Sequence, residues 1–322
     1  MRFSCLLTAI LLGATSLFGA SAGAQPYPSR PIHFVVAFTA GSGTDIIARS
    51  IGDTLAKSLG QPVIIDNRPG AGGTIAAGGV AKADPDGYTF MIHSAGHAVN
   101  PAIYPNLTYD TAKDFAGVSP LANLPNVLIV PPGRYKTVQE IVAAAKANPG
   151  KLNYGSAGNG SATHMNAEKF RAAAGFDAVH VPFKGTPEAL SEVMAGRLDF
   201  FFAPIVSALQ LIKEGKVVAL AVGTPKRAAL LPEIPTTIEL GYTGSDFNFW
   251  VGLFAPAKTP REVINRMNQE VAKALQLPEI RERYAALGAE PFPMRPDEFD
   301  AYVKSEIELN GRIVRAAGIK AN

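Results

Sequence analysis

The sequence has a single cysteine, Cys5, so neither a disulfide framework nor a cysteine-ligated metal centre has material to form from. Charge is sparse, at 18% of residues, and nearly balanced, with 30 Lys and Arg against 27 Asp and Glu. The resulting +3 is scattered without a basic block, and a phosphate-backbone footprint for nucleic acid is not visible. No segment holds the roughly 20 uninterrupted apolar residues of a spanning helix. Low-complexity tracts and internal repeats are also missing. What is present is a chain of 322 residues that is 47% hydrophobic, enough for two lobes each with its own core.

The N-terminus reads as a cleavable export signal over residues 1–24. Arg2 supplies the positive start, Leu6 to Leu12 the apolar stretch, and Ala22-Gly23-Ala24 the small residues before a cut ahead of Gln25. Cys5 precedes the apolar stretch rather than following it, which argues against a lipid anchor. The expectation is a soluble, periplasmic protein without cysteine.

From Ile32 onward, short apolar runs alternate with helical patterns, the signature of βα units around mostly parallel sheets. The runs include Ile32 to Phe38, Tyr88 to Ile92, Leu152 to Tyr154, Leu198 to Phe202 and Val217 to Val222. Thr137-Val138-Gln139-Glu140 and Thr259-Pro260-Arg261-Glu262 read as capping boxes, and Gly175 and Gly196 as left-handed helix ends. The C-terminal part from Arg261 is nearly all helix. Leu121 to Pro131 and Asp246 to Pro256 read as crossings between lobes.

Two glycine-rich turns carry the binding chemistry. Phe38-Thr39-Ala40-Gly41-Ser42-Gly43-Thr44-Asp45 follows a strand and feeds a helix, and Gly155-Ser156-Ala157-Gly158-Asn159-Gly160-Ser161 repeats the arrangement in the second half. Each turn presents backbone N–H groups and a positive helix end to an anion, and two such turns facing across a cleft would grip one carboxylate from both sides. Each also reads simply as a tight βα turn. A third stretch, Gly70-Ala71-Gly72-Gly73, mimics a dinucleotide fingerprint but puts Ile75 where the third glycine belongs, and no Walker motif is present.

Enzyme signatures are thin. The G-x-S-x-G at Gly19 to Gly23 falls inside the export signal. Ser42, Ser94, Ser156 and Ser161 lie in turns, and Ser156 or Ser161 with His164 would be the pair for a secreted serine hydrolase. His93 and His97 have the i, i+4 spacing of zinc ligands, but Gly96 and the preceding strand argue for a loop, so no metal and no cofactor are expected. Asp45 reads as a cap holding its turn in shape. Asp199, in the apolar run Leu198 to Phe202, needs hydrogen-bond partners that a cleft or a backbone loop would supply.

Read in order, Tyr27-Pro28, Gly41-Ser42-Gly43-Thr44-Asp45, Asn67-Arg68-Pro69-Gly70-Ala71-Gly72-Gly73, Asp84-Pro85-Asp86-Gly87-Tyr88-Thr89, the second glycine turn with His164, His180-Val181-Pro182-Phe183-Lys184-Gly185 and Leu231-Pro232-Glu233-Ile234-Pro235-Thr236 resemble the Bug-type solute receptors of tripartite tricarboxylate transporters. The resemblance implies a two-lobed periplasmic binding-protein fold of type II character, crossed twice by the chain, with the ligand in the interlobe cleft. It implies a first lobe of residues 25–126 and 252–322 and a second of 127–251. Carried over, the carboxylate site is Thr39, Ala40, Gly41 and Ser42 from one lobe with Ser156, Ala157, Gly158 and Ser161 from the other, supported by Asp45 and His164, and Phe38, Ser94 and Asn159 are further candidates for ligand contact. The sequence departs from the family where Ala40-Gly41-Ser42 replaces the usual Pro-Gly-Gly, leaving an extra N–H at position 40.

The expected function is reception of a small organic carboxylate and its delivery, by hinge closure, to membrane permease subunits, as a monomer without nucleic-acid partners. His97, Phe183, Lys184, Phe202 and Trp250 are candidates for the far wall, and Asp199 for a polar contact in the cleft. Dicarboxylates, tricarboxylates and aromatic carboxylates all fit that reading. A serine hydrolase and an extracytoplasmic sensory module stand as alternatives.

Overall fold

The structure is a computed structural model that describes residues 27–319. The export signal expected over residues 1–24, with Cys5 and the cut before Gln25, lies outside the described residues.

The chain opens with β1 (Ile32–Val36), α1 (Gly43–Leu59), β2 (Val63–Asn67), α2 (Thr74–Val80), β3 (Thr89–Ser94), α3 (Gly96–Ile103) and β4 (Phe115–Asn123). A second group follows: β5 (Asn126–Val130), α4 (Val138–Ala147), β6 (Asn153–Ser156), α5 (Ala162–Ala174), β7 (Val179–Pro182), α6 (Thr186–Met194), β8 (Phe200–Pro204), α7 (Ile205–Lys213) and β9 (Val218–Val222). The last group is β10 (Trp250–Pro256), α8 (Arg261–Gln276), α9 (Pro278–Leu287), β11 (Glu290–Pro291) and α10 (Pro296–Ala317).

The strands form two sheets, β11-β4-β10-β3-β1-β2 and β7-β6-β8-β5-β9. Both are mixed rather than mostly parallel. In the first, β1 pairs parallel with β2 and β3, whereas β10 runs antiparallel to β3 and β4. In the second, β6 pairs parallel with β7 and β8, whereas β5 runs antiparallel to β8 and β9. The antiparallel strands β5 and β10 are the ones on which the chain enters each sheet from the other. Strand β4 was hidden in the sequence by Pro120, which the ladder accommodates beside a register shift: Ala122 faces Val251 and Pro120 faces Gly252, so Leu121 is the extra residue.

Two residues, Leu124 and Pro125, separate β4 from β5, and the return runs through 223–249. The two passages are tied together: Leu124 N–H donates to Phe249 O at 2.8 Å, and Gly223 N–H donates to Asn126 O at 2.8 Å. Side chains alternate along β8, so Phe200 and Phe202 pack on one face of the second sheet and Phe201 and Ala203 on the other. The first sheet has its own core, built on β1, β3 and β10 and covered by α1, α8 and α10.

Local signals explain most helix ends. Ile47, Ile51 and Leu55 line the buried face of α1, and Gly60 ends it in the left-handed region with its N–H on Ala56 O. Thr137 caps α4 as expected, accepting from Glu140 N–H, while the Glu140 carboxylate takes Lys136 N–H. The second expected box fails: Pro260, not Thr259, is the cap of α8. Among the described residues no helix is long and apolar enough to cross a membrane.

Candidate ligand-binding cleft

Strands β1, β3, β6 and β8 all end toward the same gap between the sheets. The turn after β1 leads into α1, and the turn after β6 leads into α5, so two helix N-termini face one another across that gap. Their first-turn N–H groups have no intrahelical acceptor. Between them lies a chamber of about 10 Å³, space for roughly one water. It is lined by Phe38, Ser42, Gly43, Thr44 and Ser94 on one side and by Ala157, Ser161, Ala162, Thr163, Thr186 and Pro204 on the other, with Phe249 from the return passage. No lining residue is charged.

Each turn is held by hydrogen bonds from below. Asp45 accepts from Gly41 N–H at 2.9 Å, from Asn67 Nδ2 at 2.9 Å and from Arg49 Nε at 3.0 Å. Burial would push this carboxyl up, but the Arg49, Gly41 and Asn67 donors outweigh it and hold the group below the usual aspartate value. In the second turn Ser161 caps α5, accepting from His164 N–H at 3.3 Å, and Thr163 Oγ1 accepts from Ala157 N–H at 2.9 Å. His164 Nδ1 accepts from Gly160 N–H at 3.1 Å. Beneath the turn, the rings of His164 and His180 stack with centroids 4.0 Å apart. Burial pushes both imidazoles down to about 3, so both are neutral at pH 7.

The two sides touch. Thr186 N–H donates to Ser42 Oγ at 3.0 Å, Thr39 Oγ1 donates to Glu188 Oε2 at 3.1 Å, Ser207 Oγ donates to Gly41 O at 3.1 Å, and Tyr104 OH donates to Asn159 O at 3.0 Å. Glycine makes the closest approach possible: a Cβ on Gly72 would lie 2.0 Å from Asn159 O. Outside the chamber an open vestibule of about 490 Å³ is lined by Ala71 and Gly72, Tyr104, Gly158 and Asn159, Phe183 and Lys184, and Glu188.

The structure therefore gathers Phe38, Ser42, Ser94, Ala157 and Ser161 at the chamber, and Gly158, Asn159, Phe183 and Lys184 at the vestibule. Thr39 bridges the two sides, whereas Ala40 and Gly41 are exposed. Ser156 Oγ lies beneath its turn, accepting from Gly158 N–H at 3.0 Å.

Four expected contacts are not in the cleft. Asp199 precedes β8 and lies at the far end of that strand from Pro204; its carboxylate accepts from Asn153 N–H at 2.7 Å and Tyr135 OH at 3.2 Å and meets Arg134. Phe202 is fully buried against Phe170, on the inner face that strand alternation assigns to it. His97 is fully buried against Phe115 and Phe254, and burial drives it well below the usual histidine value. Trp250 packs on Phe299 and donates to Glu306 at 3.3 Å.

The hydrolase pairing also changes. Ser161 Oγ meets the backbone of His164 and not its ring, and Ser156 Oγ lies 2.6 Å from His180 Nε2 instead. Ser156 is wholly buried. Among the described residues no three His, Asp or Glu side chains form a metal-holding group. Sequence reading missed Thr44, Thr163, Thr186, Glu188 and Phe249. The last stands within the second expected crossing, and Thr186 directly follows the family-like Lys184-Gly185, so both carried a signal of position.

Residues 47–319 match the family described as the tripartite tricarboxylate transporter family receptor. A protein encoded in the tcbD-tcbE intergenic region of Pseudomonas sp. strain P51 is 37% identical over 319 residues, covering 98% of this chain and 95% of that one. Among solved structures, a Rhodopseudomonas palustris protein with adipate superposes with a TM-score of 0.88 at 35% identity, covering 91% of this chain and 99% of that one. MatC from the same organism, with bound malate, superposes with a TM-score of 0.84 at 34% identity, covering 89% and 100%.

Proposed function

The chain belongs to the tripartite tricarboxylate transporter receptor family, and from that premise we propose that it is a periplasmic, non-catalytic receptor for a small organic carboxylate. The observation that carries this reading is the pair of facing helix N-termini around an uncharged chamber. With the two sides drawn apart beyond the room for one water, a carboxylate there would meet the first-turn N–H groups of Gly43 and Thr44 from one side and of Ala162 and Thr163 from the other. Four acceptor sites on the two oxygens match that donor set without an arginine. The relatives with adipate and malate carry the same class of ligand.

Binding works by closure. Ligand entering between the sheets adds contacts to both helix ends at once, and it favours the arrangement in which Ser42 meets Thr186 and Thr39 meets Glu188. The passages at Leu124–Pro125 and through 223–249 are where the bending would take place. The closed pair of lobes, as a monomer, is then the form that the permease subunits receive.

The hydrolase alternative loses support from the burial of Ser156, whose Oγ meets His180 beneath the second turn and not in the chamber. The test is calorimetry of the purified protein against aliphatic mono-, di- and tricarboxylates and aromatic acids. A saturable heat with one class supports a receptor; silence across the panel from folded protein, or turnover of model esters, overturns it.

A further inference from the structure

Glu188 lies in the first turn of α6, where the positive helix end favours an anion, and its side chain lines the vestibule just outside the chamber. Its partner is Thr39 across the cleft, and no Lys or Arg stands within ion-pairing distance of it among the described residues.

The hydrogen bonds that reach it have a fixed direction. Thr186 N–H donates to Ser42 Oγ at 3.0 Å, Ser42 Oγ and Thr39 Oγ1 are 3.3 Å apart, and Thr39 Oγ1 is 3.1 Å from Glu188 Oε2. A hydroxyl has one proton to give. An ionised Glu188 accepts and cannot donate, so Thr39 gives its proton to Glu188, and Ser42 must then give its own to Thr39. The Thr39 proton is thus committed to Glu188 and the Ser42 proton to Thr39, and what these two hydroxyls have left to offer a ligand is lone pairs, while the Thr44 hydroxyl stays with the chamber.

We propose that Glu188 sets the class of carboxylate taken: one whose far end carries a hydroxyl, amide or ammonium donor, in preference to one with a second carboxylate. This rests on the receptor reading above and deepens it. The near carboxylate keeps the backbone N–H groups of α1 and α5, which the chain of hydroxyls leaves alone. A far end that leaves the chamber past Ala157 and Ser42 would come to Gly158 and Glu188, which follow them in the chain and in the Ser42–Thr39–Glu188 contacts. There a donor finds Glu188 and the lone pairs of Thr39, whereas a carboxylate finds a like charge and acceptors. Lys184 lines the same vestibule but is exposed and makes no ion pair with Glu188, so it does not tie up that carboxylate.

The experiment is calorimetry at pH 7 with matched acids of three to six carbons, each as the ω-hydroxy acid, the ω-amino acid and the dicarboxylate, on the wild type and on Glu188→Gln. The wild type is expected to bind an ω-hydroxy or ω-amino acid at least about tenfold tighter than the dicarboxylate of equal length. Glu188→Gln, which keeps the size and gains a donor, should cut that preference about tenfold or reverse it. A wild type that binds dicarboxylates as tightly or better overturns the inference while leaving the receptor reading intact, as does a preference that survives Glu188→Gln. The wild-type ranking decides alone if the variant does not fold. No heat from any acid with either protein overturns the receptor reading and this inference together.

Discussion

Ser156 Oγ and His180 Nε2 are 2.6 Å apart, joining the last residue of β6 to the neighbouring strand β7 directly beneath the second glycine turn. The three rings of His180, His164 and Tyr154 cluster, with His180 4.0 Å from His164 and 5.0 Å from Tyr154, so a proton on His180 would place a charge within that buried cluster. A cluster built this way leaves a mark on stability.

Acid should weaken the fold over a defined window. Burial lowers His180 and His164 to about 3 from the usual 6.5. Below pH 6.5 the unfolded chain takes protons that the folded chain refuses, so stability falls as pH drops from 6.5 toward 3 and is flat with respect to these groups above 6.5. Each ring contributes a slope of up to about 1.4 kcal/mol per pH unit. Urea unfolding at pH 7, 6 and 5 should show the decline, and His180→Gln should make it shallower. An unchanged slope in that variant would remove His180 from the account.

Gly72→Ala should obstruct closure, with a smaller cost to its own lobe from the left-handed backbone there. The new Cβ would meet Asn159 O at 2.0 Å, and the residue sits at φ +60. Relieving that contact parts the two sides by bending the passages, at a cost to closure of about 1–3 kcal/mol. Ligand affinity should fall accordingly, and small-angle scattering should show a more open particle. Equal affinity and equal dimensions would mean that the approach of Gly72 to Asn159 is dispensable.

Asp45→Ala should loosen the first turn. The side chain is buried and serves Gly41 N–H, Arg49 and Asn67 together, so its loss strands donors that no neighbour replaces. A loss of about 2–3 kcal/mol is expected from chemical denaturation, with weaker carboxylate binding in calorimetry. Its lowered pKa adds stability that is present above the unfolded aspartate value and is lost as pH falls below it.

Ser161→Ala tests the second turn more gently. Removing the cap of α5 should cost about 1 kcal/mol of stability. Because Ser161 also lines the chamber, affinity should drop by more than the stability change explains. Equal losses in both measurements would assign the residue to the helix alone.

Much of the fold was legible because its signals are local. Ile47, Ile51 and Leu55 announced the inner face of α1, Thr137 the start of α4, and Gly175 the end of α5. The two glycine turns were legible as a pair, since each follows a strand and opens a helix. The far wall was not. His97, Phe202 and Trp250 are aromatic and polar enough to suit a ligand, yet strand alternation and the aromatic cluster around Phe254 turn them inward. Asp199 read as a cleft group because its partners Arg134, Tyr135 and Asn153 are distant in sequence. Gly70-Ala71-Gly72-Gly73 read as a broken dinucleotide fingerprint, but that its Gly72 abuts Asn159 depends on the pairing of lobes, which no local pattern encodes.

The order of strands in the first sheet bears on how the molecule acquires its shape. Strand β10 lies between β4 and β3, so β4 has no hydrogen-bonded link to β1, β2 and β3 until residues 250–256 are in place. The body formed by residues 126–222 contains all of its own strands and can condense earlier. The first sheet must instead wait for chain made more than 120 positions after β4, counted from Asn123 to Trp250. Such distant pairing slows assembly and prolongs the time for which unpaired edges are open to a chaperone or to aggregation.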